Sequence, residues 1–207
     1  SLPAPLLNDE VAAYVHQIFS DAGGSQVDRQ RESFVRRLPQ DAFIAEVGVF
    51  AGDFARLLWS VARPRGLVLI DKWDGIFSEF GYDANQSRNL LKVRQRFREP
   101  IRRGQVRILE GQSTAMASRL PDGFFDVVYI DADHSYEAVR ADLRAYAPKL
   151  HAGGLLCGHD YAGWCLGVRL AVNEWMHDDL QTYFYHWDEH GNFCLKRVSG
   201  DWSALPT

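Results

Sequence analysis

Apolar positions recur along this chain in two rhythms, and the places where one gives way to the other predict its elements. The run from Phe43 to Val49 is short and rich in β-branched residues (Ile44, Val47, Val49), as a buried strand is, and Ala55 to Ala62 then returns its apolar residues at helical spacing. Between the two stand Gly48 and Gly52. The reading is strand, tight glycine turn, helix. Glycine serves where the chain takes a φ closed to other residues or where a ligand must touch backbone. The free N–H groups of a helix N-terminus stand beside any ligand lying over such a turn.

The alternation continues down the chain. Pro64-Arg-Gly66 is a break, and Leu67 to Ile70 is a fully apolar second strand ending at Asp71. Trp73 to Asn89 shows no period and reads as a loop; its aromatics Trp73, Phe77, Phe80 and Tyr82 fit a lid over a cofactor or an ordinary surface loop packed on the core. Gln86 to Arg98 reads as a helix with a basic face, and Gln105 to Leu109 as the third strand. Ser113 or Thr114 is then placed to cap a helix from Ala115 to Arg119. Phe124 to Ile130 is an apolar strand running into Asp131, Asp133 and His134, followed by an amphipathic helix from Glu137 to Leu150 that Pro148 breaks. Gly153-Gly154 opens a further short apolar strand ending at His159, Asp160 and Tyr161, and a helix from Val168 to Asp179 follows. The last two strands, Thr182 to Trp187 and Phe193 to Val198, flank the turn Asp188 to Asn192 and read as a hairpin.

Ahead of the glycine turn, Asp9 to Phe19 is amphipathic and is stopped by Gly23-Gly24, while Asp28 to Arg37 reads as a second helix with Phe34 and Val35 turned inward. Strands alternating with helices and closing in a hairpin predict an α/β, doubly wound, mostly parallel seven-stranded sheet with a C-terminal antiparallel hairpin strand. Residues 41–207 would form this domain, and residues 1–40 a helical extension, either plain packing or part of a substrate lid.

Composition narrows the classes of function. The chain has 207 residues, enough for one well-buried domain, and a formal charge of −4 with pI near 6.0 gives no electrostatic case for nucleic acid. No apolar run approaches the roughly 18 residues a membrane span needs, and no basic segment leads into an apolar core as in a signal peptide. The default expectation is a cytoplasmic protein without a membrane partner. Cys157, Cys165 and Cys194 are odd in number and lack C-x-x-C spacing, so they read as buried reduced thiols rather than disulfides or zinc ligands.

The chemistry of the first turn separates two cofactor classes. A nicotinamide fingerprint requires G-x-G-x-x-G, with pyrophosphate on the helix N-terminus. Here the pattern is Glu46-x-Gly48-x-x-x-Gly52 followed by Asp53, and carboxylates in those places would repel a pyrophosphate but suit a ligand with a cationic end. Asp71, ending the next strand, is placed to accept hydrogen bonds from ribose hydroxyls. The cluster Asp131, Asp133 and His134 lies where open α/β sheets bind ligands, outside the carboxyl ends of the strands.

The first turn resembles the first motif of class I S-adenosylmethionine-dependent methyltransferases. Together with Ile130-Asp131-Ala-Asp133-His134-Ser-Tyr136, Gly153-Gly154 and Gly158-His159-Asp160-Tyr161, it is similar to the branch of bacterial O-methyltransferases of the macrocin type, which act on sugars of antibiotics and related glycosides. The resemblance covers about residues 40 to 200. It implies a Rossmann-like methyltransferase fold and an S-adenosylmethionine pocket formed by Glu46, Gly48 and Gly52 around the amino-acid end, Asp71 on the ribose, and Gly111, Gln112 and Ser113 against the adenine, with Asp131 at the same edge. It also implies a divalent cation, magnesium or manganese, on Asp131, His159 and Asp160. His159 departs from the carboxylate of several relatives, and an imidazole suits manganese, iron or zinc better than magnesium. Asp133 or His134 would be the base that takes the acceptor proton.

The expected acceptor is a hydroxyl of a small molecule, first a sugar or glycoside, second a phenol or natural-product scaffold, against which the loop aromatics and Trp164 would stack. A competing reading from another class is a non-catalytic binding or assembly module on the same fold. Homo-oligomer formation is left open.

Overall fold

The computed structural model describes residues 31–74, 76–79, 82–179, 182–186 and 191–197. The amphipathic stretch Asp9 to Phe19, the Gly23-Gly24 stop, Phe80 and the hairpin turn from 187 to 190 lie outside them.

The central parallel strands are largely apolar runs buried on both faces. β1 (Phe43–Val47) is flanked by β2 (Gly66–Asp71) and β6 (Phe125–Ile130), both parallel to it, with Glu46 opposite Leu69 on one side and Tyr129 on the other. β5 (Val106–Glu110) extends the sheet beyond β2, and β7 (Leu150–Gly158) extends it beyond β6. β9 (Phe193–Arg197) runs antiparallel to β7 and pairs with β8 (Thr182–His186) in the closing hairpin, so the order is β5-β2-β1-β6-β7-β9-β8. The outcome is a mixed, Rossmann-like sheet with one antiparallel hairpin at its end.

Strand periodicity of two divides the core between the two faces of this sheet. Ala45, Val47, Ile70, Val128 and Ile130 pack on one face with residues of α5 (Tyr136–Tyr146) and α6 (Leu166–Asp178). Ile44, Leu67, Leu69, Val127 and Tyr129 pack on the other with α1 (Asp53–Leu57), its π-helical continuation Leu58–Ala62, α2 (Gln86–Arg96), and Phe34, Val35 and Leu38 from the N-terminal stretch. Residues 31–35 are helical, and Phe34 and Val35 are turned inward as the pattern required.

Several expectations need correction. Between Trp73 and Asn89 the chain forms a two-stranded antiparallel sheet, β3 (Ile76–Glu79) and β4 (Tyr82–Asn85), with α2 beginning at Gln86. Four-residue strands without alternation leave no periodic trace. Trp73, grouped above with the loop aromatics, is a core residue at 2 % exposure, and its indole N–H donates to the Phe50 carbonyl at 2.8 Å. The helix after β5 is α4 (Ser113–Ala117), following the short α3 (Arg98–Arg102), so Ser113 lies inside it rather than capping it. Helix α5 ends at Tyr146, a 3-10 turn Ala147–Lys149 follows, and Gly153-Gly154 lies within β7 rather than ahead of it.

The cysteines depart from the expected set of reduced thiols. Cys157 and Cys194 are directly opposed residues of the antiparallel pair β7/β9 and form a disulfide, leaving Cys165 as a free thiol. Their separation of 37 residues gave no spacing signal; the pairing comes from strand register. Among the described residues no helix is long and apolar enough to cross a membrane.

Candidate cofactor and acceptor site

Because β1, β6 and β7 are parallel, their carboxyl ends open at one edge of the sheet, and the polar residues that follow each strand meet there. The backbone couples these turns: Gly48 N–H donates to the Ile70 carbonyl at 2.8 Å, Asp131 N–H to Val47 at 2.8 Å, and His159 N–H to Ile130 at 3.2 Å. Gly48 has φ 89°, and a Cβ there would stand 1.9 Å from the Asp131 carbonyl oxygen. Close backbone approach therefore demands this glycine, whatever lies over it. Gly52, at φ 79°, opens α1 without a side-chain cap, and a Cβ on it would meet Val93 at 2.9 Å.

Asp71 has a task that the sequence pattern did not reveal. Its Oδ2 accepts hydrogen bonds from Val49 N–H and Phe50 N–H, both at 2.8 Å, and its Oδ1 from Trp73 N–H at 3.0 Å. The carboxylate ties the end of β2 to the glycine turn. Its two oxygens have room for about four donors in all, so a further hydroxyl donor can be accommodated. Ser113, grouped with Gly111 and Gln112 as an adenine neighbour, donates its hydroxyl to Asp142 Oδ1, while its carbonyl accepts from Tyr146 Oη at 2.7 Å. Burial pushes the Asp142 carboxyl up to about 6, despite that hydrogen bond. Gly111 has φ 152° and donates its N–H to the Asp71 carbonyl at 2.9 Å, bringing the loop after β5 against the end of β2.

Glu46 is the most exceptional group in the sheet. It is 1 % exposed in the central strand, and its Oε2 has no hydrogen-bond partner. Burial, and then the negative charge of Asp131, raise its pKa well above the usual carboxylate range, while Arg31 pulls in the other direction. Buried carboxylates are ordinarily satisfied. One with an open oxygen beside a glycine turn suits the ammonium of an amino-acid ligand, so the residues present fit the methionine end of S-adenosylmethionine.

Next to it lies the acidic cluster. Asp131 Oδ2 is 3.1 Å from Arg31 Nη2, which arrives from the helix at residues 31–35. His134 Nε2 lies 3.6 Å from Asp131 Oδ1 and 3.2 Å from Asp160 Oδ2. Burial alone would raise the Asp131 carboxyl; the charge of Arg31 and the hydrogen bond from His134 outweigh it and hold the group well below its usual range. Asp160 adopts φ 60°, an uncommon backbone for a non-glycine residue.

The expected metal set requires correction. Ligand atoms of Asp131, His134 and Asp160 all lie within 4.8 Å of one another, so His134 takes the place given to His159. His159 Nδ1 lies 3.2 Å from Asp160 Oδ2 but makes no hydrogen bond. Arg31 was not singled out from the sequence at all, since one arginine on a short helix ordinarily marks a solvated face. The two base candidates also separate. Asp133 is exposed and its Oδ1 accepts from Ser135 N–H at 2.8 Å, a backbone hydrogen bond that lowers its pKa and makes it a weaker base. His134 faces the cluster.

Comparison with known proteins agrees with this architecture. A family model described as a methyltransferase domain matches residues 45–161, more than half of the chain. An uncharacterized protein of Acanthamoeba polyphaga mimivirus is 27 % identical over 141 residues, covering 65 % of this chain; the chain spans 59 % of that relative's length. The O-methyltransferase NovP superposes with a TM-score of 0.61 at 23 % identity, over 81 % of this chain and 79 % of NovP. Cofactor-bound Rv0187 from MTB gives 0.61 at 18 % identity, over 95 % and 94 %. SMU.1697c from Streptococcus mutans, solved in complex with SAH, gives 0.58 at 12 % identity, over 82 % and 97 %. The chain belongs to the methyltransferase-domain family and has the Rossmann-like fold of class I S-adenosylmethionine-dependent methyltransferases.

Proposed function

We propose that this protein transfers a methyl group from S-adenosylmethionine to a hydroxyl of a small molecule, a sugar or glycoside before a phenol. The observation that carries the reading is the juxtaposition of a buried carboxyl with an open oxygen, Glu46, and an imidazole held between two carboxylates, His134, at the same sheet edge. The first suits a cationic ligand end and the second a proton acceptor. S-adenosylmethionine supplies an electrophilic methyl on a sulfonium.

The chain's residues do the rest by positioning. Glu46 would take the ammonium, the Gly48 to Gly52 turn would receive the methionine end, Asp71 would accept from the ribose, and Gly111, Gln112 and Ser113 would border the adenine. His134 would take the acceptor proton at the ring nitrogen not turned to the carboxylates, and Asp131 and Asp160, facing Nε2, would stabilise the imidazolium. Trp164 is exposed and lies three residues before Gly167, whose backbone packs against His134, and in this reading an acceptor ring would stack on it. A divalent cation held by Asp131, His134 and Asp160 would stand against the Arg31 guanidinium already seated on Asp131 Oδ2; with that resident charge in place the residues as they stand do not fit one.

Release of S-adenosylhomocysteine in the presence of a panel of sugar, glycoside and phenol acceptors tests the proposal. Turnover with at least one hydroxyl acceptor is expected; binding without turnover on every acceptor offered would favour a non-catalytic module instead.

A further inference from the structure

We propose that the guanidinium of Arg31 is the resident cation of this carboxylate cluster and keeps divalent ions off Asp131, His134 and Asp160. Arg31 reaches Asp131 across 100 residues of chain, and two independent contacts fix it: Nη2 at 3.1 Å from Asp131 Oδ2, and the guanidinium carbon 5.1 Å from the centroid of the Phe54 ring. Its helix is anchored by Phe34, 1 % exposed and 5.6 Å from the Tyr129 ring, and by fully buried Val35. The charge is therefore delivered by the core packing rather than by a loose surface side chain.

Its place on the cluster gives that charge a task. Nη2 is seated on Asp131 Oδ2, and ligand atoms of Asp131, His134 and Asp160 lie together within 4.8 Å of one another. A divalent ion on those atoms would stand beside a unit positive charge that core packing holds in place, and the repulsion opposes its binding.

The test uses Mn²⁺ and the full chain, and it needs no knowledge of the acceptor. Free Mn²⁺ is followed by electron paramagnetic resonance in the wild type, Arg31→Gln, Arg31→Lys and the double variant Arg31→Gln/Asp131→Asn. The wild type and Arg31→Lys should bind no tighter than about 1 mM. Arg31→Gln should gain at least about tenfold, because a unit positive charge close to the ion has gone, and the double variant should lose that gain. Micromolar binding by the wild type, or no gain in Arg31→Gln, overturns the proposal. Should Arg31→Gln fail to fold, the wild type and Arg31→Lys decide, since tight binding by either contradicts a resident guanidinium. Calorimetry with S-adenosylhomocysteine on the same samples reports the methyl-transfer reading separately.

Discussion

Gly48 and Asp131 meet backbone to backbone: a single added Cβ at position 48 would stand 1.9 Å from the Asp131 carbonyl oxygen, with the glycine already at φ 89°. The first glycine of the turn is thus a requirement of the sheet edge before it is a feature of any ligand site. Gly48→Ala should cost more than about 3 kcal/mol of stability, from the left-handed backbone together with the clash. Urea unfolding of the ligand-free protein checks this; an unchanged midpoint with loss of ligand affinity alone would show that the contact yields.

The sequence offers His134 and Asp133 as the base, the imidazole being the better acceptor near pH 7, and the structure sets them in different surroundings. His134→Ala should lower turnover about 10²–10⁴-fold, the usual size of a general-base effect, while S-adenosylhomocysteine affinity stays within about twofold. Asp133→Asn should lower it less than about tenfold, because its carboxylate is committed to the Ser135 N–H. Steady-state rates with a working acceptor separate the two, and the reverse ranking would move the base to Asp133.

Glu46→Gln should act in opposite directions on stability and on binding. The folded-state pKa of Glu46 is raised, so the native protein holds a proton that the unfolded chain releases, and stability falls as pH rises from the ordinary carboxylate range toward the raised value. Glutamine removes that cost, so the free variant should melt higher than the wild type at pH 8. Its affinity for S-adenosylhomocysteine should fall about 10–100-fold, the loss of a charge-assisted hydrogen bond. Unchanged affinity would remove Glu46 from the cofactor site.

Asp142 provides a second pH-dependent contribution. Its carboxyl is raised from 3.8 to about 6, so its contribution is fully present below about pH 4 and is lost as pH rises through about 6. At 1.36 kcal/mol per pKa unit the loss is roughly 3 kcal/mol. Asp142→Asn keeps an acceptor for the Ser113 hydroxyl and should raise the melting temperature at pH 8 much more than at pH 5. A larger gain at pH 5 would contradict the assignment.

What the sequence could and could not disclose follows from the range of each interaction. The ends of β1, β2, β6 and β7 were legible because a buried apolar run that stops at Asp71, Asp131 or His159 must stop at an edge where charge is tolerated. The inward faces of Phe34 and Val35 were legible from helical spacing. Contacts made by register or by folding across the chain were not: Cys157 meets Cys194 only because β9 pairs with β7, and Arg31 meets Asp131 only because the N-terminal helix packs under Tyr129. Trp73 misled because a tryptophan in a stretch without period looks like surface, whereas its indole N–H had a backbone carbonyl waiting at Phe50. Asp71 was legible by position but not by partners, since hydrogen bonds to main-chain N–H groups carry no residue signature.

The most direct test of the account is calorimetric titration of the wild-type protein with S-adenosylhomocysteine, set beside a nicotinamide dinucleotide under the same conditions. The account predicts saturable binding of S-adenosylhomocysteine at one site per chain and no binding of the dinucleotide. No heat with S-adenosylhomocysteine up to millimolar concentration, together with tight dinucleotide binding, would contradict it.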